Sequence, residues 1–389
     1  MTAARPAAAA RPLLSATFYI VPALLLAWFA GGQMAFGRVD AALAIPLLMP
    51  GALWLAWRVR GEALPIRLRM IGAALLGLLV AQLLLQLWLG KAIGAAQLGL
   101  TFAAGVPACG VAVFVLRKIH GWRGLFRWSA MLLLVPLWFV AGQWLVGIAY
   151  TPINEQPAPR LAVLTGLPLR WAGDDLTAML AAGPTDAPAV GELAQRFDVH
   201  LIDSLSEVGG TEPLLVAHPR ALAPEELVRL DALTRDSRTI VILADALSSW
   251  EPPYALGDPR NPPVTSLLTP LLDHWGVALA APDRGISGWE GDVDVFLDPG
   301  GRKLRLHSAG LFTRLPPGCA TYGDRRVARC PVGKAMVWLV GDADLLHESL
   351  WQSPIAGAPW FRRSDNLAWL AGALNPAGRP LLDPIWIRP

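Results

Sequence analysis

The stretch Gly341-Asp342-Ala343-Asp344-Leu345-Leu346-His347-Glu348 sets two Asp, one His and one Glu close together. These residue types hold a divalent cation or exchange protons. The stretch follows the apolar run AMVWLV (335–340), and the carboxyl end of a buried strand is where α/β proteins bind ligands. A plainer role also fits. Asp344 is placed to cap the following helix, residues 344 and 348 share one helical face, and His347 is then simply exposed. The six histidines (120, 200, 218, 274, 307 and 347) form no HxH or HxxxH pair, so no metal is expected.

Nucleophilic chemistry has one arrangement available, Ser248 or Ser249 with His218 and Asp245 at neighbouring strand ends. An amidotransferase-type hydrolase needs a cysteine on a tight strand-to-helix elbow, with a histidine and an acid nearby. The strand ends at Thr165, Asp203, Ala217, Ala244 and Gly341 carry no cysteine, and neither serine is flanked by glycine. No catalytic residue is expected, and His218 reads as a turn residue restricted by Pro219. His218, Asp245, Asp342 and Asp344 remain as candidates for contact with a ligand or partner. No Gly-x-x-x-x-Gly-Lys-Ser/Thr occurs, and Gly209-Gly210 and Gly300-Gly301 lack the strand-loop-helix setting of a phosphate cradle. No cofactor and no nucleic-acid partner are expected.

Of the three cysteines, Cys109 lies in an apolar run, where a thiol packs as a small apolar group. Cys319 and Cys330 flank TYGDRRVAR in a β-type region. Gly323-Asp324 there supplies a hairpin turn that sets them opposite, and a disulfide is expected if the region faces an oxidising compartment.

The elements that carry these residues divide in two. Of the 389 residues 54% are hydrophobic and 16% charged, below the ~25% of soluble globules, so part of the chain has membrane lipid as its partner. Through residue 150 there are 12 basic and 2 acidic residues, and beyond it 21 and 28. Apolar stretches near the ~20 residues needed to span a bilayer recur at 16–37, 41–57, 70–90, 95–116 and 128–150. Pro46, Pro50 and Pro107 should kink the second and fourth of them. Arg5 and Arg11 precede the first stretch. Arg58, Arg60, Arg67 and Arg69 fill one loop, Arg117, Lys118, Arg123 and Arg127 another, while the alternate connections hold only Arg38 and Lys91. Basic loops remain cytoplasmic, so residues 1–15 are expected inside and everything after Tyr150 outside the plasma (inner) membrane. A cleaved signal peptide at the first stretch is disfavoured by its length. No acidic group lies within any stretch, which points to an anchor rather than an ion pathway. The patches Gly31-Gly32 and Ala103-Ala104-Gly105 with Ala108 would admit a neighbouring helix closely.

A polar linker, 151–160, precedes an α/β domain expected over 161–389. Strands are read at 161–164, 199–202, 214–217, 239–243 and 335–340, and helices at 175–182, 223–234, 265–275, 343–351 and 366–374. Near-continuously apolar strands alternating with helices signal a doubly wound, mostly parallel, Rossmann-like sheet. The shorter alternation of VDVFL, KLRLH and RRVARC suggests a small antiparallel β insertion at about 290–334.

Several segments, in order, resemble the gliding-motility-type auxiliary domain of bacterial ABC transport systems. PLLVAHPRALAPEELVRLDALTRDSRTIVILADALSSW (213–250) carries its polar turn at His218-Pro219, a mid-helix Asp231 and a strand ending in Asp245. SLLTPLLDHWGVALA (266–280) is similar to its helix and Gly-Val turn, at Gly276-Val277. MVWLVGDADLL (336–346) resembles its strand ending in Gly-Asp-x-Asp, and DNLAWLAGAL (365–374) its Asn-led helix. The resemblance spans about 160–375. It implies a class I glutamine-amidotransferase-like fold without its enzymatic residues, held outside the cytoplasm beside an ABC permease and its ATPase. Five amino-terminal spans depart from the one-helix-at-each-end layout of the gliding-motility members. The expected function is a non-enzymatic accessory subunit that binds a partner or exported substrate; a tethered extracytoplasmic hydrolase and a small-ligand sensor are the alternatives.

Overall fold

The computed structural model describes residues 35–119, 124–152, 157–171, 185–252, 254–255, 257–281, 291–297, 301–376 and 380–389. The chain divides into two compact units, the described part of Met1–Thr151 with Ile355–Phe361 and Pro380–Pro389, and that of Pro152–Pro354 with Arg362–Arg379.

Among the described residues of the first unit four helices are long and apolar enough to cross a membrane: Ala41–Arg58, Leu64–Gly90, Ala95–Lys118 and Trp128–Tyr150. The expected first span, 16–37, lies outside the described residues except for its last three. Proline decides the form of the next. Ala41–Leu47, with Pro46 inside it, is a 3-10 turn capped by Asp40. The α-helix α1 (Leu48–Arg58) follows with Pro50 in its first turn, where the missing N–H costs little. Trp138 Nε1 satisfies the Ile45 carbonyl at 2.9 Å. Helices α2 (Leu64–Leu85), α3 (Ala95–Lys118) and α4 (Gly124–Tyr150) complete the set. Pro107 lies inside α3 without dividing it. The small residues Ala108 and Ala112 of α3 pack with Ala52, Leu55 and Ala56 of α1 and Ala74 and Leu75 of α2; of the expected small-residue patch Ala104 and Gly105 are buried too, while Ala103 is exposed.

The α/β reading over 161–389 needs one correction. Ala358, Phe361 and Leu382 pack with Leu43, Ile45, Val146 and Tyr150, and so belong with the helices. The carboxy-terminal segment is fastened by Val39 N donating to Ile385 O, Ile387 N to Gly37 O, and Arg388 N to Leu89 O, each at 2.8 Å. Leu382 N donates to Ala149 O at 2.9 Å. Within this end lies a fully buried ion pair, Arg38 Nη2 to Asp40 Oδ2 at 2.8 Å. The Tyr150 hydroxyl also donates to Asp40, and the guanidinium stacks over the Tyr150 and Trp386 rings at 5.0 and 5.5 Å. Local sequence patterns give no sign of this arrangement, because Tyr150 lies 110 positions along the chain from Asp40 and Trp386 lies further still.

In the second unit thirteen strands are described: β1 (Arg160–Thr165), β2 (Arg170–Trp171), β3 (Thr185–Asp186), β4 (Asp198–Ile202), β5 (Leu214–Ala217), β6 (Thr239–Leu243), β7 (Ala278–Ala280), β8 (Asp292–Leu297), β9 (Arg302–His307), β10 (Leu311–Arg314), β11 (Ala320–Tyr322), β12 (Val327–Val332) and β13 (Ala335–Val340). Seven form one sheet in the order β11-β12-β13-β6-β5-β1-β4, parallel from β13 to β4 and antiparallel at β12 and β11. Alternate residues feed two cores. Leu161, Leu215 and Val241 face one and Leu164, Val216 and Ile242 the other, as a sheet covered on both faces requires. The first face is covered by α5 (Pro188–Ala194), the β8–β9 hairpin and α9 (Asn366–Leu374). The second is covered by α6 (Pro224–Leu233) and α7 (Thr269–His274).

The antiparallel segment is not one insertion. β8 pairs with β9 and β10 with β7 in separate two-stranded sheets, while β11 and β12 extend the main sheet. They join it because the apolar Val327 reaches one of its cores and Ala328 and Cys330 the other. The expected helix at 175–182 lies outside the described residues. The one expected at 343–351 is a 3-10 turn, Asp344–Leu346, followed by a short α8, Glu348–Trp351.

Candidate functional site

The carboxyl ends of the parallel strands bring the four candidate residues together. His218 follows β5, Asp245 follows β6, and Asp342 and Asp344 follow β13. Main-chain bonds lock these ends side by side: His218 N donates to Leu243 O at 3.0 Å and Ala244 N to Val340 O at 2.8 Å. Asp245, Asp342 and Asp344 each present a carboxylate oxygen within 4.8 Å of the others', and all three are buried.

Each carboxylate is held by main-chain donors. Asp245 Oδ1 accepts from Leu247 N at 2.8 Å and Oδ2 from Ala343 N at 3.2 Å. Asp342 Oδ1 accepts from Asp344 N at 2.6 Å and Oδ2 from His307 N at 2.8 Å. Asp344 accepts from Ser249 N at 3.0 and 3.2 Å and from Ser248 Oγ at 3.3 Å. Asp344 therefore does not cap α8; His347 does, its side chain accepting from Ser349 N. Asp344 instead turns inward, because the 3-10 turn at 344–346 interposes before the helix begins.

Among the described residues no Lys or Arg forms an ion pair with any of the three. Burial, and then the charge of Asp344, push the Asp245 carboxyl up to about 7. Burial with the charges of Asp245 and Asp344 raises Asp342, and burial raises Asp344. Three acids so close cannot all be ionised cheaply, so the cluster holds protons or a cation.

His218 is fully buried with a φ of +47°, a left-handed conformation rather than the extended one that a following proline favours. Its Nε2 lies 2.6 Å from Pro263 O, so that nitrogen carries the proton and donates. Burial lowers the imidazole's pKa, and its Nδ1 has no partner among the described residues. The serines complete no dyad with it, since both hydroxyls turn to Asp344 and His218 Nε2 to Pro263.

In an open α/β sheet the ligand crevice lies where strand order reverses, here between β1 and β5. Main chain fills that place: Gly166 N donates to His218 O at 3.2 Å, and a Cβ at Gly166 would stand 2.9 Å from both His218 O and Arg220 N. Asn261 bonds both main-chain groups of Tyr254, Arg260 pairs with Asp258 at 2.8 Å, and Arg220 donates to Arg260 O at 2.5 Å, fixing the segment whose Pro263 covers His218. The sequence missed the donor His307 and the clasp of Ser248 and Ser249 on Asp344; the only local signal was their place at element ends.

Neither a family model nor a curated protein matches the chain. Solved structures do, distantly. The beta-galactosidase from Rahnella sp. R3 aligns at TM-score 0.30 and 14% identity over 62% of this chain and 33% of that one. The exo-beta-1,4-mannosidase Op5Man5 from Opitutaceae bacterium strain TAV5 aligns at 0.28 and 13%, over 63% and 44%. A catalytic mutant of Gan42B, a GH42 beta-galactosidase from G. stearothermophilus, aligns at 0.29 and 13%, over 56% and 32%. The chain thus spans less than half the length of each, and likeness of this degree carries no conclusion about activity or partners.

Proposed function

We propose that this chain is a membrane-anchored, non-catalytic accessory subunit of a bacterial ABC transport system, its α/β unit lying outside the cytoplasm and binding a partner or exported substrate there. The observation that carries the non-catalytic part is the occupied reversal point between β1 and β5. Gly166 meets the main chain of His218 and Arg220 where a substrate would enter, and Ser248 and His218 are each engaged elsewhere.

Sidedness is supported by the first unit. The connections poor in basic residues, around 37–40 and 86–97, gather with Tyr150 and the carboxy-terminal segment at one end of the helices. The Cys319–Cys330 disulfide accords with an oxidising compartment. The association with a permease and ATPase rests on the ordered resemblance of 213–250, 266–280, 336–346 and 365–374.

The non-catalytic part is tested by incubating the detergent-purified full chain with chromogenic ester and amide substrates. No turnover above a heat-treated sample is expected. Turnover that Ser249→Ala alone abolishes would replace this reading with the tethered hydrolase.

A further inference from the structure

A cluster of buried acids needs compensation, and among the described residues no Lys or Arg pairs with this one. The direct donors around the trio are neutral: the main-chain N–H groups of Leu247, Ala343, His307, Asp344 and Ser249, and the Ser248 and Ser249 hydroxyls. The His307 ring lies with its Nδ1 2.9 Å from Asp292 Oδ1. Each carboxylate oxygen has two lone pairs, so an oxygen that accepts one N–H still has one to offer. Ligating carboxylates are ordinarily held by such outer hydrogen bonds.

His218 is the second, independent observation. It is fully buried, its Nε2–H is fixed on Pro263 O, and its Nδ1 is a buried acceptor with no partner among the described residues. His218 N donates to Leu243 O at 3.0 Å, which sets the residue beside the end of β6, two positions before Asp245. A buried acceptor left unmatched costs about 1–3 kcal/mol, and a water donating to it removes that cost. A water held on a cation is a stronger donor than a free one.

We propose that Asp245, Asp342 and Asp344 hold one hard divalent cation of the Mg2+, Mn2+ or Ca2+ class, and that a water on this cation donates to Nδ1 of His218. Oxygen-only ligation suits these ions rather than zinc or copper. A dipositive ion offsets most of the charge of the three carboxylates, and the surrounding N–H donors meet the remainder. The ion then ties the carboxyl ends of β6 and β13 together and brings β5 in through His218. Entry is beside the exposed Ser249, which covers Asp344.

The probe is Mn2+ itself. Full-length protein in detergent is stripped with a chelator, desalted and titrated with MnCl2, and the free ion is read from its paramagnetic resonance signal. One tight Mn2+ per chain is expected, displaced by excess MgCl2 or CaCl2. Asp344→Asn retains an oxygen for Ser248 and Ser249 and is the mildest change to the trio; it should weaken Mn2+ by roughly 100-fold. His218→Asn, which tolerates a positive φ, should weaken it about tenfold, the usual effect of an outer-shell loss. Asp324→Asn, at an exposed acid, should change nothing. The proposal is overturned if the unmodified chain takes up no Mn2+, or if Asp344→Asn binds as tightly as the unmodified chain. Should Asp344→Asn not fold, the decision passes to the unmodified chain alone: a rise in melting temperature with stoichiometric MnCl2 supports the site, and no rise overturns it.

Discussion

Three carboxylates within 4.8 Å of one another at Asp245, Asp342 and Asp344 give the α/β unit an unusual dependence on pH. Asp245 moves from an ordinary 3.8 to about 7, and its two neighbours move the same way. The folded chain therefore holds protons that the unfolded chain has released, so this contribution to stability is full below about pH 4 and is lost as pH rises through about 7. His218 acts oppositely: buried neutral and lowered from 6.5, it removes stability as pH falls below 6.5. Between pH 8 and 6.5 the acids dominate. Chelator-treated protein should melt at a higher temperature at pH 6.5 than at pH 8. Asp344→Asn should flatten that difference; an unchanged slope in the variant would contradict the coupling. At this scale the sequence showed the acids and His218, since both stand beside apolar runs. It did not show that Asp344 turns inward, because the 3-10 turn that reorients it has no local signature distinct from a helix start.

Two elements offer sharper tests. The turn at Gly323, Asp324 and Arg325 has three consecutive positive φ values, of 55°, 51° and 67°. It pairs Tyr322 with Val327 and Ala320 with Arg329, and the same register sets Cys319 against Cys330 with their Cα atoms 4.2 Å apart. The disulfide closes a short loop, and on the chain-entropy model it contributes about 2–3 kcal/mol. Thermal melts of Cys319→Ser and Cys330→Ser should fall about equally, with the double variant no lower than either; unequal or additive losses would contradict the bond. On the helix side, Gly142 of α4 lets the 3-10 turn approach so closely that an added Cβ would stand 2.6 Å from Pro46 Cα. Backbone cannot yield as a side chain can, so Gly142→Ala should cost about 1–3 kcal/mol, read as a lower melting temperature of the full chain. Gly105→Ala meets only the Leu75 side chain and should be milder. The disulfide was legible because its turn residues lie between the two cysteines. The contact at Gly142 was not, since nothing near α4 in sequence marks the distant Pro46.

For the whole molecule, the division into an apolar helical part and a parallel α/β part followed from composition and periodicity alone. The return of 355–361 and 380–389 to the helices did not, because short apolar segments carry no label for which core they join. That return places the carboxy-terminus at the end of the helices opposite the basic loops, and an alkaline phosphatase fusion after Pro389 should be active; activity of a cytoplasm-only reporter at that site would reverse the orientation. The association itself is tested most directly by affinity purification of the full chain from its native membrane in a mild detergent, with the co-purifying proteins identified by mass spectrometry. An ABC permease and its ATPase should be recovered in fixed proportion to the chain. Recovery of the intact chain without either subunit, under conditions that keep a known ABC complex together, would contradict the accessory-subunit reading.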